Sequence, residues 1–296
     1  MVAGKARPLM RAARVCPEIH GSTGLDTKPP QSPDERPLPQ WPSIDLDREL
    51  RHSGESFLLF MYRTICNDPH GRKTTVIATG CLTNIALLLT VFPDVSHHIE
   101  AIVLMGGAIG LGNTSPAAEW NIEIDPEAAA IVFQSACEPA ATDDGSSGRS
   151  GFERHPVPIR VVQVPLEVTH TVLVTPEVLA EVRELQSEYS RLLAALLVFF
   201  QDSYLSTFGF EHPPLHDPVA VAYVIAPELF TVKRLRVDIE TTSALCSGRT
   251  IVDVHGITGR TPQIDVALTV NVNAFWALLL DAIRRADRVS CLNSNH

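Results

Sequence analysis

The chain has 296 residues, of which 45% are hydrophobic and 20% are charged. Its 34 acidic residues outnumber the 24 Lys and Arg residues, and the formal net charge is -10. Nucleic acids and anionic membrane surfaces are bound by basic faces, so this balance argues against both partners. No uncharged apolar run approaches the roughly 18 residues of a membrane-spanning helix. Composition therefore predicts a soluble globular protein with a sizeable buried core and neither of these partners.

The cysteines are widely spaced and form no C-x-x-C pair: Cys16, Cys66, Cys81, Cys137, Cys246 and Cys291. This spacing favours free thiols in a reducing compartment over a disulfide framework or a zinc site. The expected location is cytoplasmic.

Two segments are predicted to be insertions in a single domain that spans residues 1–296. Residues 27–45 contain six prolines in a polar setting, which is typical of an exposed loop. Residues 138–158 include Asp-Asp-Gly-Ser-Ser-Gly and few large apolar side chains, which is typical of a flexible surface insertion.

Outside these segments, strand and helix patterns alternate along the chain. Short apolar or β-branched runs predict strands at 74–78, 101–105, 159–164, 236–240, 250–254 and 264–270. Helical patterns cover 83–92, 125–134, 176–200, 217–225 and 273–285. The alternation predicts an α/β fold with a single open, mostly parallel sheet that is flanked by helices. Ligands of such sheets bind at the carboxyl ends of the strands.

A glycine-rich stretch at 106–112 follows the second predicted strand. Its spacing matches neither the dinucleotide-binding G-x-G-x-x-G pattern with a following helix nor a P-loop. Glycines here would instead let the backbone pass close to a ligand.

Polar side chains follow this stretch at Asn113, Glu119 and Asn121. Amide groups donate and accept hydrogen bonds and a carboxylate accepts them, which suits the hydroxyls of a sugar. The alternative is a polar loop whose side chains bond only to its own backbone, and composition alone favours this alternative.

Five motifs occur along the chain. The first two are P-E-I-H-G-x-x-G-L-D at 17–26 and A-T-G-x-L-T-N-I-A at 78–86. The others are V-L-M-G-G-A-x3-G-N-x5-E-W-N-I-x-x-D-P-E-A-A at 103–129, P-L-E-V-T-H at 165–170 and H-D-P-x-A at 216–220. Together and in this order they resemble the inosine–uridine-preferring nucleoside hydrolase family. The resemblance implies one nucleoside hydrolase-like domain with a Rossmann-like sheet. It also implies hydrolysis of the N-glycosidic bond of purine or pyrimidine ribonucleosides to free base and ribose, in a homo-oligomer that is a dimer or a tetramer.

The resemblance implies that four residues contact the ribose hydroxyls: the side chains of Asn113, Glu119 and Asn121 and the backbone of Met105. The family cofactor is calcium, and Asp217 would bind both this ion and the ribose. The main-chain carbonyl of Thr79 would be a further calcium ligand. Asp217 with Pro218 is also typical of an ordinary helix start.

On the base side, the resemblance implies that His216 protonates a leaving purine, so His216 and Asp217 are the expected catalytic residues. Trp120, Phe200 and Tyr204 would form the wall of the base pocket, and His20 would approach from another loop. Phe200 and Tyr204, four residues apart, could equally be core residues of a helix.

One family motif, D-x-D-P-G-x-D-D, does not occur in the chain. Calcium takes roughly six to eight oxygen ligands, so Asp217 and Thr79 alone would leave its site incomplete. We therefore expect an N-terminally truncated domain that lacks its first strand and has impaired activity. The alternatives are a non-catalytic pseudoenzyme that binds nucleosides or interacts with another subunit, and a plain α/β domain without a ligand.

Overall fold

The computed structural model of the chain describes residues 3–21, 26–27, 36–39, 56–138 and 156–294. Most of each predicted insertion, at 27–45 and 138–158, lies outside these residues, and both stay predictions. Within the described ranges, no helix is both long and apolar enough to cross a membrane. All six cysteines fall inside these ranges and are free thiols, as their spacing predicts.

The α-helices of the described residues account for every predicted helical segment. They are α1 (Pro17–His20), α2 (Phe57–Cys66), α3 (Thr83–Val91), α4 (Trp120–Glu123), α5 (Pro126–Gln134), α6 (Leu166–Thr169), α7 (Pro176–Arg183), α8 (Glu188–Phe208), α9 (Asp217–Ile225) and α10 (Val272–Val289). Short 3-10 helices occur at Pro93–His98, Pro227–Leu229 and Cys291–Ser294. The pattern at 176–200 divides into α7 and most of α8, and α1, α2, α4 and α6 were not predicted.

The strands form one mixed sheet of six within the described residues. They are β1 (Thr74–Ala78), β2 (Ile99–Met105), β3 (Arg160–Val164), β4 (Phe230–Ile239), β5 (Thr250–Asp253) and β6 (Ile264–Val270). Their order across the sheet is β1-β2-β3-β6-β4-β5. The first four strands in this order are parallel, whereas β4 pairs antiparallel with both β6 and β5. The α/β fold and the mostly parallel sheet are confirmed.

Residues 101–105 of the central strand β2 are all apolar because both faces of the sheet are covered. On β2, Ile102 and Leu104 pack into a core with α3 and α5. Val103 and Met105 face the other way and pack with α6, α9 and α10. Burial on both faces explains the continuous apolar run of β2, which lacks the alternation of a half-exposed strand.

Asp125 connects three parts of the fold in the core next to the sheet. Its side chain is fully buried and caps α5 by accepting a hydrogen bond from the backbone N–H of Ala128 at 3.2 Å. The same carboxylate accepts from the hydroxyl of Thr83 at 2.5 Å and from the backbone N–H of Leu9 at 2.8 Å. The predicted helix start at Asp125 and Pro126 is confirmed, and it also anchors the N-terminal segment.

We expect Asp125→Ala to lower the free energy of unfolding by about 1–3 kcal/mol, because Thr83 and Leu9 would keep buried donors without acceptors. Asp125→Asn retains one oxygen acceptor and should lose less. Urea unfolding followed by circular dichroism measures both values. Equal midpoints for native chain and alanine variant would contradict this account of the anchor.

Candidate functional site

A cavity of about 160 Å³ opens at the carboxyl ends of the parallel strands. All but one of the predicted site residues line it: His20, Thr79, Met105, Asn113, Glu119, Trp120, Asn121, Tyr204, His216 and Asp217. Thr79 follows β1, Met105 ends β2, and the residues from 113 to 121 come after it. His216 and Asp217 are the N-cap and the first residue of α9. The fold therefore brings together side chains that are almost 200 residues apart in sequence.

Asn113 uses its side-chain oxygen to hold its own loop. Its Oδ1 accepts hydrogen bonds from the backbone N–H groups of Thr114 at 2.7 Å and Trp120 at 3.0 Å. Its backbone N–H donates to the carbonyl of Ala118 at 3.2 Å. These bonds occupy the acceptor of the amide, and the Nδ2 donor is the group that this residue can offer to a ligand.

Glu119 lies at the base of the cavity and is almost fully buried, with 3% of its surface exposed. Its carboxylate accepts from the backbone N–H groups of Gly107 at 2.8 Å, Asn121 at 2.9 Å and Ile122 at 3.3 Å. Burial raises the pKa of this carboxyl to about 7, although the three donors oppose the shift. Glu119 thus changes its charge near neutral pH and links the loop after β2 to the start of α4.

Asn121 presents the opposite half of its amide to the cavity. Its Nδ2 donates to the carbonyl oxygen of Met105 at 3.1 Å, at the end of β2. This bond fixes the orientation of the amide, and Oδ1 is left as the acceptor for a ligand. Asn113 and Asn121 therefore supply a donor and an acceptor that face one cavity.

Asp217 is the first residue of α9, and the N-cap position belongs to His216, whose side chain makes no cap bond. The reading of Asp217 as an ordinary helix N-cap is therefore wrong. Among the described residues, no hydrogen bond or ion pair reaches its carboxylate. Asp217 is an exposed residue whose carboxylate lines the cavity, and partial desolvation there raises its pKa to about 6. A carboxylate of this kind is typical of a group that binds a ligand.

His216 is held between two hydroxyl groups. Its Nε2 lies 2.8 Å from the phenol oxygen of Tyr204, and its Nδ1 lies 2.8 Å from Oγ1 of Thr169. Burial and the neighbouring His170 and His20 lower the pKa of the imidazole to about 3. The ring is therefore neutral at neutral pH, carries one N–H, and connects the cavity to α6.

Aromatic rings form one wall of the cavity. Trp120, Tyr204 and Phe208 line it, and the guanidinium of Arg14 lies 5.1 Å from the centroid of the Trp120 ring. Phe200 does not line the cavity, contrary to its predicted place in the wall. Its ring packs edge-on against His20, 6.0 Å between centroids, in the cluster behind Tyr204.

Four lining residues were not predicted: Cys16, Ile19, Thr114 and Phe208. Phe208 lies one helical turn after Tyr204, so the same spacing that indicated Phe200 also indicated Phe208.

Burial raises the pKa of the Cys16 thiol to about 11, and the thiol is protonated at neutral pH. Cys16 therefore contributes to the shape of the cavity rather than to nucleophilic chemistry.

The described residues do not fit a calcium site. Asp217 offers one free carboxylate and Thr79 one carbonyl, whereas the carboxylate of Glu119 already accepts three backbone bonds. No group of three or more His, Cys, Asp or Glu side chains in the described part of the chain could hold a metal ion. Calcium requires roughly six to eight oxygen ligands, which is more than these residues offer.

Comparisons with known proteins agree on one family. The family model described as inosine-uridine preferring nucleoside hydrolase matches residues 1–277. A probable ribonucleoside hydrolase of Dictyostelium discoideum is 38% identical over 291 residues, covering 96% of this chain and 76% of that protein. The pyrimidine-specific ribonucleoside hydrolase RihA of Escherichia coli is 35% identical over 286 residues, covering 96% and 79%. The fold is similar to that of a purine-preferring ribonucleoside hydrolase from Gardnerella vaginalis, with a TM-score of 0.74, 26% identity and coverage of 97% and 80%.

Proposed function

Because the chain belongs to the inosine-uridine preferring nucleoside hydrolase family, we propose that it hydrolyses the N-glycosidic bond of ribonucleosides to free base and ribose. The observation that carries this proposal is that one cavity has polar groups on one side and aromatic rings on the other. Asn113, Asn121 and Asp217 offer a donor, an acceptor and a free carboxylate, which suit sugar hydroxyls. Trp120 and Tyr204 offer flat rings, which suit a base.

On the ribose side, the reaction passes through an oxocarbenium-like sugar, as in the hydrolysis of O-glycosides. Nδ2 of Asn113 donates to a ribose hydroxyl and Oδ1 of Asn121 accepts from one, and these contacts hold the ring. The carboxylate of Asp217 accepts the proton of the attacking water. With a pKa of about 6, it is ionised at neutral pH yet close to the value that suits a general base.

On the base side, Tyr204 stabilises the departing base, and His216 orients its phenol. The hydroxyl of Thr169 donates to the carbonyl of Leu166 at 3.3 Å, so its oxygen accepts from Nδ1–H of His216, and Nε2 accepts the hydrogen bond of the Tyr204 phenol. During cleavage the phenol turns its proton from Nε2 to the departing base and stabilises the charge on the base by a hydrogen bond, since burial raises the pKa of Tyr204 and the phenol keeps its proton.

We expect Tyr204→Phe to lower kcat for inosine about 100-fold, because the ring stays in the wall while the hydrogen-bond donor is removed. KM should change little, since the base keeps its flat contact. Tyr223→Phe is the matched control, because this hydroxyl bonds Arg160 outside the cavity. Initial rates of inosine cleavage measure both variants, and an unchanged kcat in Tyr204→Phe would contradict the assigned hydrogen-bond donor.

Identifying the products tests the proposed function. The purified chain is incubated with inosine or uridine, with and without inorganic phosphate, and the products are separated by chromatography. The proposal predicts free base and free ribose in both cases. Ribose 1-phosphate that forms only with phosphate would overturn hydrolysis in favour of phosphorolysis.

Base preference, compartment and assembly extend this proposal. The named relatives include a pyrimidine-specific and a purine-preferring enzyme, and we propose that the aromatic wall admits both kinds of base. The free cysteines support a cytoplasmic location. Family membership supports a dimer or tetramer, which light scattering would distinguish from a monomer. Calcium, at Asp217 and Thr79, is a family expectation that would need further oxygen ligands.

A further inference from the structure

The carboxylate of Glu167 holds the loop that follows β2. It accepts hydrogen bonds from three consecutive backbone N–H groups: Ile109 at 2.9 Å, Gly110 at 2.8 Å and Leu111 at 3.2 Å. Successive N–H groups that converge in this way form an anion-binding concavity. Here the occupant is a side chain of the protein itself, from the second residue of α6.

Strand register explains why Glu167 reaches this loop. Met105, the last residue of β2, pairs with Val164, the last residue of β3, so the segments after both strands start side by side. The backbone N–H of Leu166 donates to the carbonyl of Gly107 at 3.0 Å, which joins the two segments further. Gly107 has a φ of 68°, and a Cβ at this position would lie 2.5 Å from Nε2 of Gln163. The path of the loop is therefore set by contacts from β3 and α6 together with Thr250 of β5, whose hydroxyl bonds the backbone of Ala108.

Glu167 is not among the residues that line the cavity, so it acts on a ligand only through the loop. The held segment ends at Leu111, and Asn113 follows two residues later. At its other end, the same loop leaves β2 through Gly106 and Gly107, where Glu119 accepts a bond. A shift of residues 109–111 would thus move the amide of Asn113 in the cavity.

We propose that Glu167 is a positioning residue, which fixes residues 109–111 and so aims the amide of Asn113 at the ribose. The three backbone hydrogen bonds support the structural part of this proposal. Its effect on the reaction rests on the proposed hydrolysis of ribonucleosides. A misplaced contact to the ribose weakens substrate binding, and the expected signature is a higher KM.

The test compares Glu167→Ala and Glu167→Gln with the control Glu177→Ala. Glu177 is also the second residue of its helix, α7, but it is exposed, and its side chain bonds Thr175, the residue that caps this helix. Two readouts are taken on the full chain: hydrogen exchange at the amides of 109–111, and KM and kcat for inosine. Glutamine retains one acceptor oxygen and should give an intermediate result, as a partial rescue.

In Glu167→Ala, we expect exchange at 109–111 to be about tenfold faster and KM for inosine to rise about tenfold, with a smaller change in kcat. The control should change neither. In a double-mutant cycle, adding Glu167→Ala to Asn113→Ala should raise KM little further, because both changes remove the same contact. Additive effects, or faster exchange with an unchanged KM, would overturn the positioning role while leaving the hydrolase proposal intact.

A native chain that neither cleaves nor binds inosine would be a failure of the proposed function, and the kinetic consequence for Glu167 would fall with it. In that case, hydrogen exchange still tests whether Glu167 holds residues 109–111. Equal exchange at 109–111 in native chain and Glu167→Ala would show that the carboxylate does not hold the loop.

Discussion

Replacing Asp217 by asparagine is expected to lower kcat/KM for inosine and uridine by roughly 10²–10⁴-fold. Asparagine has nearly the same size, so the cavity keeps its shape while the base is lost. The carboxylate has no hydrogen-bond or ion-pair partner among the described residues, and the fold should lose little from its neutralisation. The expected result is thus a loss of catalysis at nearly unchanged stability, which is the opposite of what a structural carboxylate would give.

The measurement is the initial rate of both nucleosides for Asp217→Asn, with thermal unfolding of each protein. Asp281→Asn is the control, because Asp281 is an exposed carboxylate of α10 that pairs with Arg285 on the same helix. The control should retain the native rate. A rate for Asp217→Asn within a few-fold of native would contradict the assignment of Asp217 as general base.

Glu119 and His216 are expected to give opposite pH dependences of stability. The pKa of Glu119 is raised to about 7 in the folded chain, so the native state binds more protons than the unfolded state between pH 4.5 and 7. Its contribution is present at acidic pH and is lost as pH rises through this window, by roughly 3 kcal/mol. The pKa of His216 is lowered to about 3, so its contribution is present above pH 6.5 and is lost as pH falls.

Between pH 4.5 and 6.5, the contributions of Glu119 and His216 to the free energy of unfolding change in opposite directions with pH. Variants of each residue measure the two contributions separately. Relative to the native chain, Glu119→Gln should lose stability as pH falls from 7 to 4.5, whereas His216→Gln should gain it. Urea unfolding at half-unit pH steps measures both differences. Parallel curves for native chain and Glu119→Gln would show that this carboxyl titrates alike in the folded and unfolded states.

Sequence patterns predicted the helices and strands whose bounds depend on neighbouring residues in the chain. The bounds of β1 and β6 and the start of α5 follow from apolar runs and from the Asp125-Pro126 pair, and the structure has them as predicted. The prediction for β4 began six residues late, because Thr231, Lys233 and Arg234 interrupt its apolar pattern on an antiparallel strand. The four-residue helices α4 and α6 are too short to show helical periodicity.

Residues of the candidate site could be predicted from the sequence only where the resemblance to the family indicates them. The family resemblance indicated ten of the fourteen lining residues. Phe200 and Phe208 are both one turn from Tyr204, and periodicity does not say which of them faces a cavity. Glu167 and Thr169 act through contacts to residues about 50 positions away. Such contacts depend on strand register and helix placement, which a single sequence does not fix.

The most direct test of the central claim is the release of ribose from inosine and uridine by the purified chain, measured beside Asp217→Asn. The account predicts that the native chain releases ribose and base in equal amounts and that the variant is at least 100-fold slower. A native chain that binds both nucleosides but releases no ribose would contradict the account. It would instead support a non-catalytic nucleoside-binding protein that keeps the contacts of Asn113 and Asn121.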